Sequence, residues 1–109
     1  MAKVELFNKA LQDTAALFKA LGHPARLAIL QYLAEKKMCI SGDISEELPL
    51  SRTTVNQHLK ELKQAGLIQG EIEGVKVNYC LKSERIENVQ KIIDSFIQNL
   101  NCCDSKRCN

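Results

Sequence analysis

The residues with the most distinctive chemistry are three cysteines near the carboxyl terminus, Cys102, Cys103 and Cys108. They lie in a polar segment with no hydrophobic core to fill, and soft thiolates bind soft metals and metalloids. Lys106 and Arg107 lie beside them and favour the thiolate form. Three sulfurs without a histidine suit trigonal As(III) or Sb(III) better than tetrahedral zinc. The segment therefore predicts a site for a metalloid inducer, with no organic cofactor.

Other interpretations of these thiols remain open. Zinc binding would require a fourth ligand, from Asp104 or from a second subunit. The tail could also bind nothing, or the chain could be a redox or persulfide sensor. In a redox sensor Cys102 or Cys103 would pair with Cys108, because a disulfide between adjacent cysteines is strained.

The remaining two cysteines, Cys39 and Cys80, are separated in the sequence and carry a weaker signal. Cys39 has Ser41 nearby and no second thiol close to it in the chain. Cys80 ends a predicted strand, where we expect it at the edge of the core, and a role as an accessory ligand is the alternative. The inducer site is therefore assigned to the tail, and whether Cys39 or Cys80 takes part stays open.

A second group of residues forms a polar helix face between positions 52 and 65. Val55, Leu59 and Leu62 recur at helical spacing and predict the buried stripe. Amides suit adenine, arginine suits guanine, and hydroxyls and lysines reach phosphates. A solvated surface is the alternative, but this face has few of the Glu/Lys pairs of such surfaces, and Glu61 is its one acid. We predict that it binds DNA through the residues Arg52, Thr53, Thr54, Asn56, Gln57 and Lys60.

The two histidines have simpler predicted roles. His58 lies on the flank of the same helix beside Val55 and Leu62, which favours packing or a hydrogen bond over DNA contact. His23 precedes Pro24 and is predicted to begin a helix.

The elements around these residues follow from hydrophobic spacing and from helix-ending glycines. Leu27, Leu30 and Leu33 are predicted to form the buried stripe of the second helix. Alternating residues around a Glu-Gly turn predict a β-hairpin. The predicted order is a helix at Val4–Leu21, a helix from Pro24 to about Lys36, a short helix within Met38–Leu48, a helix at Arg52–Ala65, a hairpin at Glu71–Tyr79 and a helix at Glu84–Leu100.

The fold class that this order predicts is mainly α with a small β-hairpin, a winged helix-turn-helix of order α-α-α-α-β-β-α. We divide the chain into a domain at 1–100 for DNA binding and dimerisation and a cysteine-bearing tail at 101–109. The net charge of +2 requires a DNA surface to come from local clustering. No apolar run approaches the ~20 residues of a membrane span. The mixed charges of the first ten residues argue against a signal peptide, so we expect a cytoplasmic protein.

Three segments of the sequence resemble the ArsR/SmtB family of metal-responsive repressors: FKALGHPARLAIL, LPLSRTTVNQHLKELKQAGLI and GEIEGVKVNYCL. The resemblance spans roughly residues 14 to 81. It implies a homodimeric repressor that binds double-stranded operator DNA and leaves it when an inducer binds. It places Arg52, Thr53, Asn56 and Gln57 at the major groove, and Lys76 on the wing near phosphates.

This sequence also departs from the family pattern at two sites. The arsenic sensors carry two or more close cysteines in the segment that matches MCISGDI, whereas this chain has Cys39 alone. The helix at Glu84–Leu100 has no histidine, so the family's zinc site between paired last helices is absent. Both departures point to the tail as the inducer site.

An apolar seam on the last helix, together with Phe7, Leu11 and Phe18 on the first, predicts a two-fold dimer. The residues of the seam on the last helix are Ile86, Val89, Ile93, Phe96 and Leu100.

The alternative class of function, a thiol enzyme, is disfavoured because the chain has no C-x-x-C motif and no phosphatase-like anion loop.

Overall fold

The computed structural model describes residues 6–37, 39–41, 47–73 and 76–101. Within these ranges it contains four helices and a three-stranded antiparallel sheet, which confirms the predicted winged helix-turn-helix class. The elements are α1 (Lys9–Leu21), α2 (Pro24–Lys36), β1 (Ile40–Ser41), α3 (Arg52–Gln64), β2 (Ile68–Glu73), β3 (Lys76–Leu81) and α4 (Ser83–Leu100).

Helix α1 begins five residues later than the predicted Val4, at Lys9. The reason is a local hydrogen bond: the side chain of Asn8 accepts from the backbone N–H of Leu11 at 2.9 Å and caps the helix. A capping residue has extended backbone angles, and Asn8 has them, so the helix cannot continue through it.

Helix α2 begins as predicted, with Pro24 in its first turn and His23 as its N-cap. The Nδ1 of His23 accepts from the backbone N–H of Ala25 at 3.0 Å. The predicted buried stripe is only partly right, because Leu27 is 49% exposed and Leu30 is half-buried. The stripe that faces the core consists of Ala25, Ile29 and Leu33, at a spacing of four.

The segment predicted as a short helix, Met38–Leu48, is different where the structure describes it. Ile40–Ser41 is a strand, and it pairs antiparallel with β3. Residues 38 and 42–46 lie outside the described residues. The apolar spacing of four was compatible with a helix, but the paired strand satisfies the backbone groups of Ile40 and Ser41 through the sheet.

The sheet has the order β1-β3-β2, so the returning strand of the hairpin lies in its centre. The hairpin is longer than predicted, running from Ile68 to Leu81. Ile68 lies opposite Leu81, and Gly70 lies opposite Tyr79. Its predicted turn falls partly on residues 74–75, outside the described residues.

The core lies between the sheet and the helices, with α3 packed at its centre. Tyr79 and Ile29 are fully buried, as are Leu62 and Leu67. Among the described residues, no helix is long and apolar enough to span a membrane.

Candidate DNA-binding site

Helix α3 has well-defined ends, which fix the position of its polar face. The Ser51 hydroxyl accepts from the backbone N–H of Thr54 at 3.3 Å and also donates to the Thr54 hydroxyl at 3.0 Å. At the other end, the N–H of Leu67 donates to the carbonyl of Leu62 at 3.0 Å, and the N–H of Gly66 donates to that of Lys63 at 2.9 Å. This pair of bonds is a Schellman motif, in which Gly66 takes a φ of +81°.

One side of α3 is buried and the other is exposed, as predicted. Val55 and Leu59 are each 1% exposed, and Leu62 is fully buried. A helix turns 100° per residue, so Gln57 and Lys60 lie opposite this stripe. The exposed polar side chains on the described helix include Arg52, Thr53, Gln57 and Lys60.

Two of the predicted DNA-binding residues, Thr54 and Asn56, are partly engaged within the protein. The hydroxyl of Thr54 contacts Ser51 and so takes part in the helix cap. Asn56 is half-buried. Gln57 is exposed, and its Nε2 lies 3.4 Å from Oε1 of Glu61, which is a long contact for a hydrogen bond. Gln57 is therefore the amide most available to a ligand.

Arg26 joins three helices and holds α3 in place. Its Nε donates to Nδ1 of His58 at 3.1 Å, and its Nη1 donates to the carbonyls of Lys19 and Ala20 at 3.1 and 3.2 Å. Those carbonyls belong to the last turn of α1, where a positive charge is favourable. This arrangement confirms that His58 has a packing and hydrogen-bonding role, and it shows that Arg26 positions the helix.

Burial lowers the pKa of His58 below its ordinary value of 6.5, and the nearby His23 and Arg26 lower it further. The two histidine rings lie 4.3 Å apart, and His58 is 8% exposed. The neutral ring leaves Nδ1 free to accept from Arg26, whereas protonation would remove that acceptor and place two cations together. The contact therefore depends on a neutral His58.

The hairpin is attached to α3 by a side-chain bond. Nζ of Lys63 donates to the carbonyl of Gly70 at 2.6 Å. Gly70 has a φ of +133°, and a Cβ there would overlap the carbonyl oxygen of Asn78 on the neighbouring strand. Lys76, the predicted wing residue, begins β3 opposite Glu73.

The structure brings together the two cysteines that the sequence analysis had separated. Cys39 and Cys80 form a disulfide, with their Cα atoms 4.3 Å apart. Cys39 has no second thiol close to it in the chain, but the pairing of β1 with β3 brings Cys80 to it, and the sequence did not predict this pair. Cys102, Cys103 and Cys108 lie outside the described residues, and within the described ranges no three metal-ligating side chains cluster.

Sequence reasoning missed Arg26, Lys63 and the cysteine pair. No spacing signal marks the first two, because their partners lie in other elements. The cysteine pair depends on the register of β1 with β3, and β1 was assigned to a helix.

A capped helix with a buried stripe and an exposed Arg/Thr/Gln/Lys face, followed by a hairpin, defines a winged helix-turn-helix transcriptional regulator. The profile described as "Bacterial regulatory protein, arsR family" matches residues 23–69. The chain belongs to the ArsR/SmtB family. It is a transcriptional regulator and not an enzyme.

The relatives agree with this assignment. The chain is 37% identical to an uncharacterized HTH-type transcriptional regulator of Methanocaldococcus jannaschii, over 85% of this chain and 100% of the relative. It is 30% identical to the cadmium resistance transcriptional regulatory protein CadC of Listeria innocua, over 87% and 80%. Reduced HlyU from Vibrio cholerae matches with a TM-score of 0.56 and 32% identity, over 84% and 90% of the two chains.

Proposed function

We propose that this regulator is a cytoplasmic repressor that binds its operator as a homodimer and leaves it when a thiol-ligated metalloid binds. The observation that carries the DNA-binding part is the exposed polar face of α3 opposite a fully buried stripe. Recognition helices of this class contact base edges with residues near their N-terminus. The proposed contacts are Arg52, Thr53, Thr54, Asn56, Gln57 and Lys60 on the helix and Lys76 on the wing.

A homodimer is supported by apolar surface left uncovered on one chain. The exposed large hydrophobic side chains on and before α1 include Phe7 at 59% and Leu11 at 48%. On α4, Ile97 is 45% exposed and Leu100 is 62% exposed. The ring of Phe96 on α4 contacts the ring of Phe18 on α1 edge to face, with the ring centres 5.6 Å apart. Contact between two such surfaces would remove them from water.

The proposed inducer is As(III), with Sb(III) as the nearest chemical equivalent. The support is the donor set itself: Cys102, Cys103 and Cys108 supply three soft sulfurs and no imidazole. They follow directly after α4, the helix assigned to the dimer. A ligand that binds all three sulfurs can therefore change the relative orientation of the two subunits. Operator DNA requires the two recognition helices at a fixed separation of about 34–36 Å, so such a change weakens DNA binding.

A DNA-release assay tests this proposal. Arsenite should release the wild-type chain from operator DNA, with a coupling of about 5–150-fold in affinity. The variants Cys102→Ser, Cys103→Ser and Cys108→Ser should each bind the operator normally and lose the response, because two thiolates hold As(III) less well than three. Cys39→Ser is the matched control and should respond as wild type. Loss of the arsenite response in Cys39→Ser, with normal responses in the tail variants, would contradict the assignment.

A further inference from the structure

The two histidines of the chain lie together where α2 packs against α3. Their rings are 4.3 Å apart, with His23 at the start of α2 and His58 on α3, the helix whose polar face is proposed to contact DNA. Histidine is the side chain whose ordinary pKa places its change of charge between pH 5 and 8. Both histidines therefore lie at the contact that positions the proposed DNA-reading helix.

Each histidine takes part in a hydrogen bond that requires its neutral form. Nδ1 of His58 accepts from Nε of Arg26 at 3.1 Å, and Nδ1 of His23 accepts from the backbone N–H of Ala25 at 3.0 Å. A neutral imidazole whose Nδ1 accepts carries its proton on Nε2, whereas a protonated ring has two donors and no acceptor. Protonation of His58 therefore leaves a donor on the ring facing the donor of Arg26.

The bond to His58 belongs to a connection between three helices. Arg26, on α2, also donates through Nη1 to the carbonyls of Lys19 and Ala20 at the end of α1, at 3.1 and 3.2 Å. His58 is 8% exposed, and the neighbouring Leu59 on α3 is buried. A charge on this ring is poorly solvated and lies beside a guanidinium group. The charged side chain can reach water only if α3 shifts relative to α2, because protein interiors are close-packed.

The charged and titratable groups that act on His58 lie on all three of these helices. Burial has the largest effect and lowers the pKa of His58 below 6.5; His23 and Arg26, at the start of α2, lower it further, and Glu61 on α3 opposes them. From α1, Lys19 lines the same groove as Arg26 and Glu61. His58 is therefore neutral at pH 7.5 and becomes charged in acid.

From this arrangement we propose that His58 is a proton sensor for operator binding, and that His23 sets the pH at which it acts. When His58 is neutral, Arg26 holds α3 against α1 and α2 in the position that contacts DNA. When His58 is protonated, it repels Arg26, α3 leaves that position, and operator affinity falls. This direction is opposite to the usual one, because added positive charge otherwise strengthens binding to phosphates. The proposal rests on the assignment of α3 as the DNA-reading helix.

Fluorescence anisotropy with the full chain, at fixed salt between pH 7.5 and 5.5, measures the effect on the operator and on unrelated DNA. If only the neutral form binds the operator, the apparent Kd equals the intrinsic Kd divided by the neutral fraction. The operator Kd should then rise by up to about tenfold per pH unit once the pH is below the pKa of His58. Unrelated DNA is bound through its phosphates and should show no such rise.

Two substitutions remove the titration of His58 and keep an acceptor for Arg26. The side-chain oxygen in His58→Asn or His58→Gln can accept a hydrogen bond, and neither amide titrates. Both variants should bind the operator at pH 7.5 with a Kd that stays flat down to pH 5.5, and the second variant serves if the first is unstable. His23→Asn is the matched control, because asparagine also caps a helix. Its operator Kd should still rise in acid, but from a higher pH, since His23 no longer lowers the pKa of His58.

The proposal is overturned by a wild-type operator Kd that stays constant or tightens in acid, by a wild-type pH response in either His58 variant, or by an equal rise on both DNAs. Circular dichroism at each pH should show intact helices, and unfolding in parallel with release would also overturn it. Gln57→Ala at pH 7.5 tests the reading helix separately. If that variant keeps wild-type affinity, the assignment of α3 fails; if it loses affinity while the wild-type pH profile is flat, only the proton sensor fails.

Discussion

Replacing Gln57 by alanine should separate DNA recognition from stability. The side chain is exposed, and the contact described for its amide is the long one of 3.4 Å to Glu61. Glutamine pairs with an acid one turn away for about 0.2–0.5 kcal/mol, and alanine regains part of this through its higher helix propensity. The free energy of unfolding should therefore change by less than about 0.5 kcal/mol.

The effect of Gln57→Ala on operator binding should be larger. A bidentate contact between an amide and adenine discriminates by about 1–3 kcal/mol. This corresponds to a weakening of roughly 5- to 150-fold in Kd, since every 1.4 kcal/mol is tenfold. Asn56 is a less selective probe because it is half-buried.

Fluorescence anisotropy with the operator and with unrelated DNA, at fixed salt, measures the effect, and urea denaturation measures stability. Gln31→Ala is the matched control, because Gln31 is also exposed but lies on α2. The reasoning is refuted if Gln57→Ala keeps wild-type operator affinity with its fold intact. An equal loss on both DNAs would also refute base recognition by this side chain and would indicate a phosphate contact.

Ser51→Ala removes the cap of α3 and should cost about 1 kcal/mol, seen as a fall in Tm of roughly 4–8 °C; an unchanged Tm would contradict the capping role. Lys60→Ala should weaken binding to all DNA sequences and reduce the slope of log affinity against log salt by about 0.9, whereas an unchanged slope would exclude a phosphate contact. Because the pKa of His58 is lowered in the folded state, the unfolded chain binds more protons near and below pH 6.5, and the stability should fall as the pH drops from 7.5 to 5.5. The variant His58→Gln should show a smaller fall in Tm over this range, and a fall equal to that of the wild type would assign the effect to other groups. Sedimentation at micromolar concentration should show a dimer that Leu11→Asp converts to monomer, and a wild-type monomer would refute the dimer proposal.

The polar face and ends of α3 could be predicted because they depend on local information. The stripe of Val55, Leu59 and Leu62 repeats at helical spacing, and it is buried as expected. Ser51 and Gly66 have the chemistry of a helix cap and a helix end, which is independent of the rest of the fold. The family resemblance added the expectation that the polar face of this helix lies at the major groove and that Lys76 lies on the wing near phosphates.

Local patterns were less informative where tertiary packing decides the outcome. Leu27 and Leu30 have the same spacing and hydrophobicity as core residues, yet Ile29 occupies the core position on α2. Which side of an apolar helix is buried depends on what packs against it. The contact of Arg26 with His58 spans 32 positions and arises only when α2 and α3 pack together.

The clearest division concerns the cysteines. The sequence by itself determined that three thiols lie together near the carboxyl terminus, because adjacency in the chain requires no fold. It could not determine that Cys39 and Cys80, 41 positions apart, are partners. A short strand such as β1 is defined by its neighbour: only pairing with β3 makes Ile40–Ser41 a strand and sets the register that brings the two sulfurs together. The sequence thus determined the capped helix α3 with its polar face and the adjacency of the tail thiols, whereas the tertiary structure decided that Cys39 and Cys80 are partners.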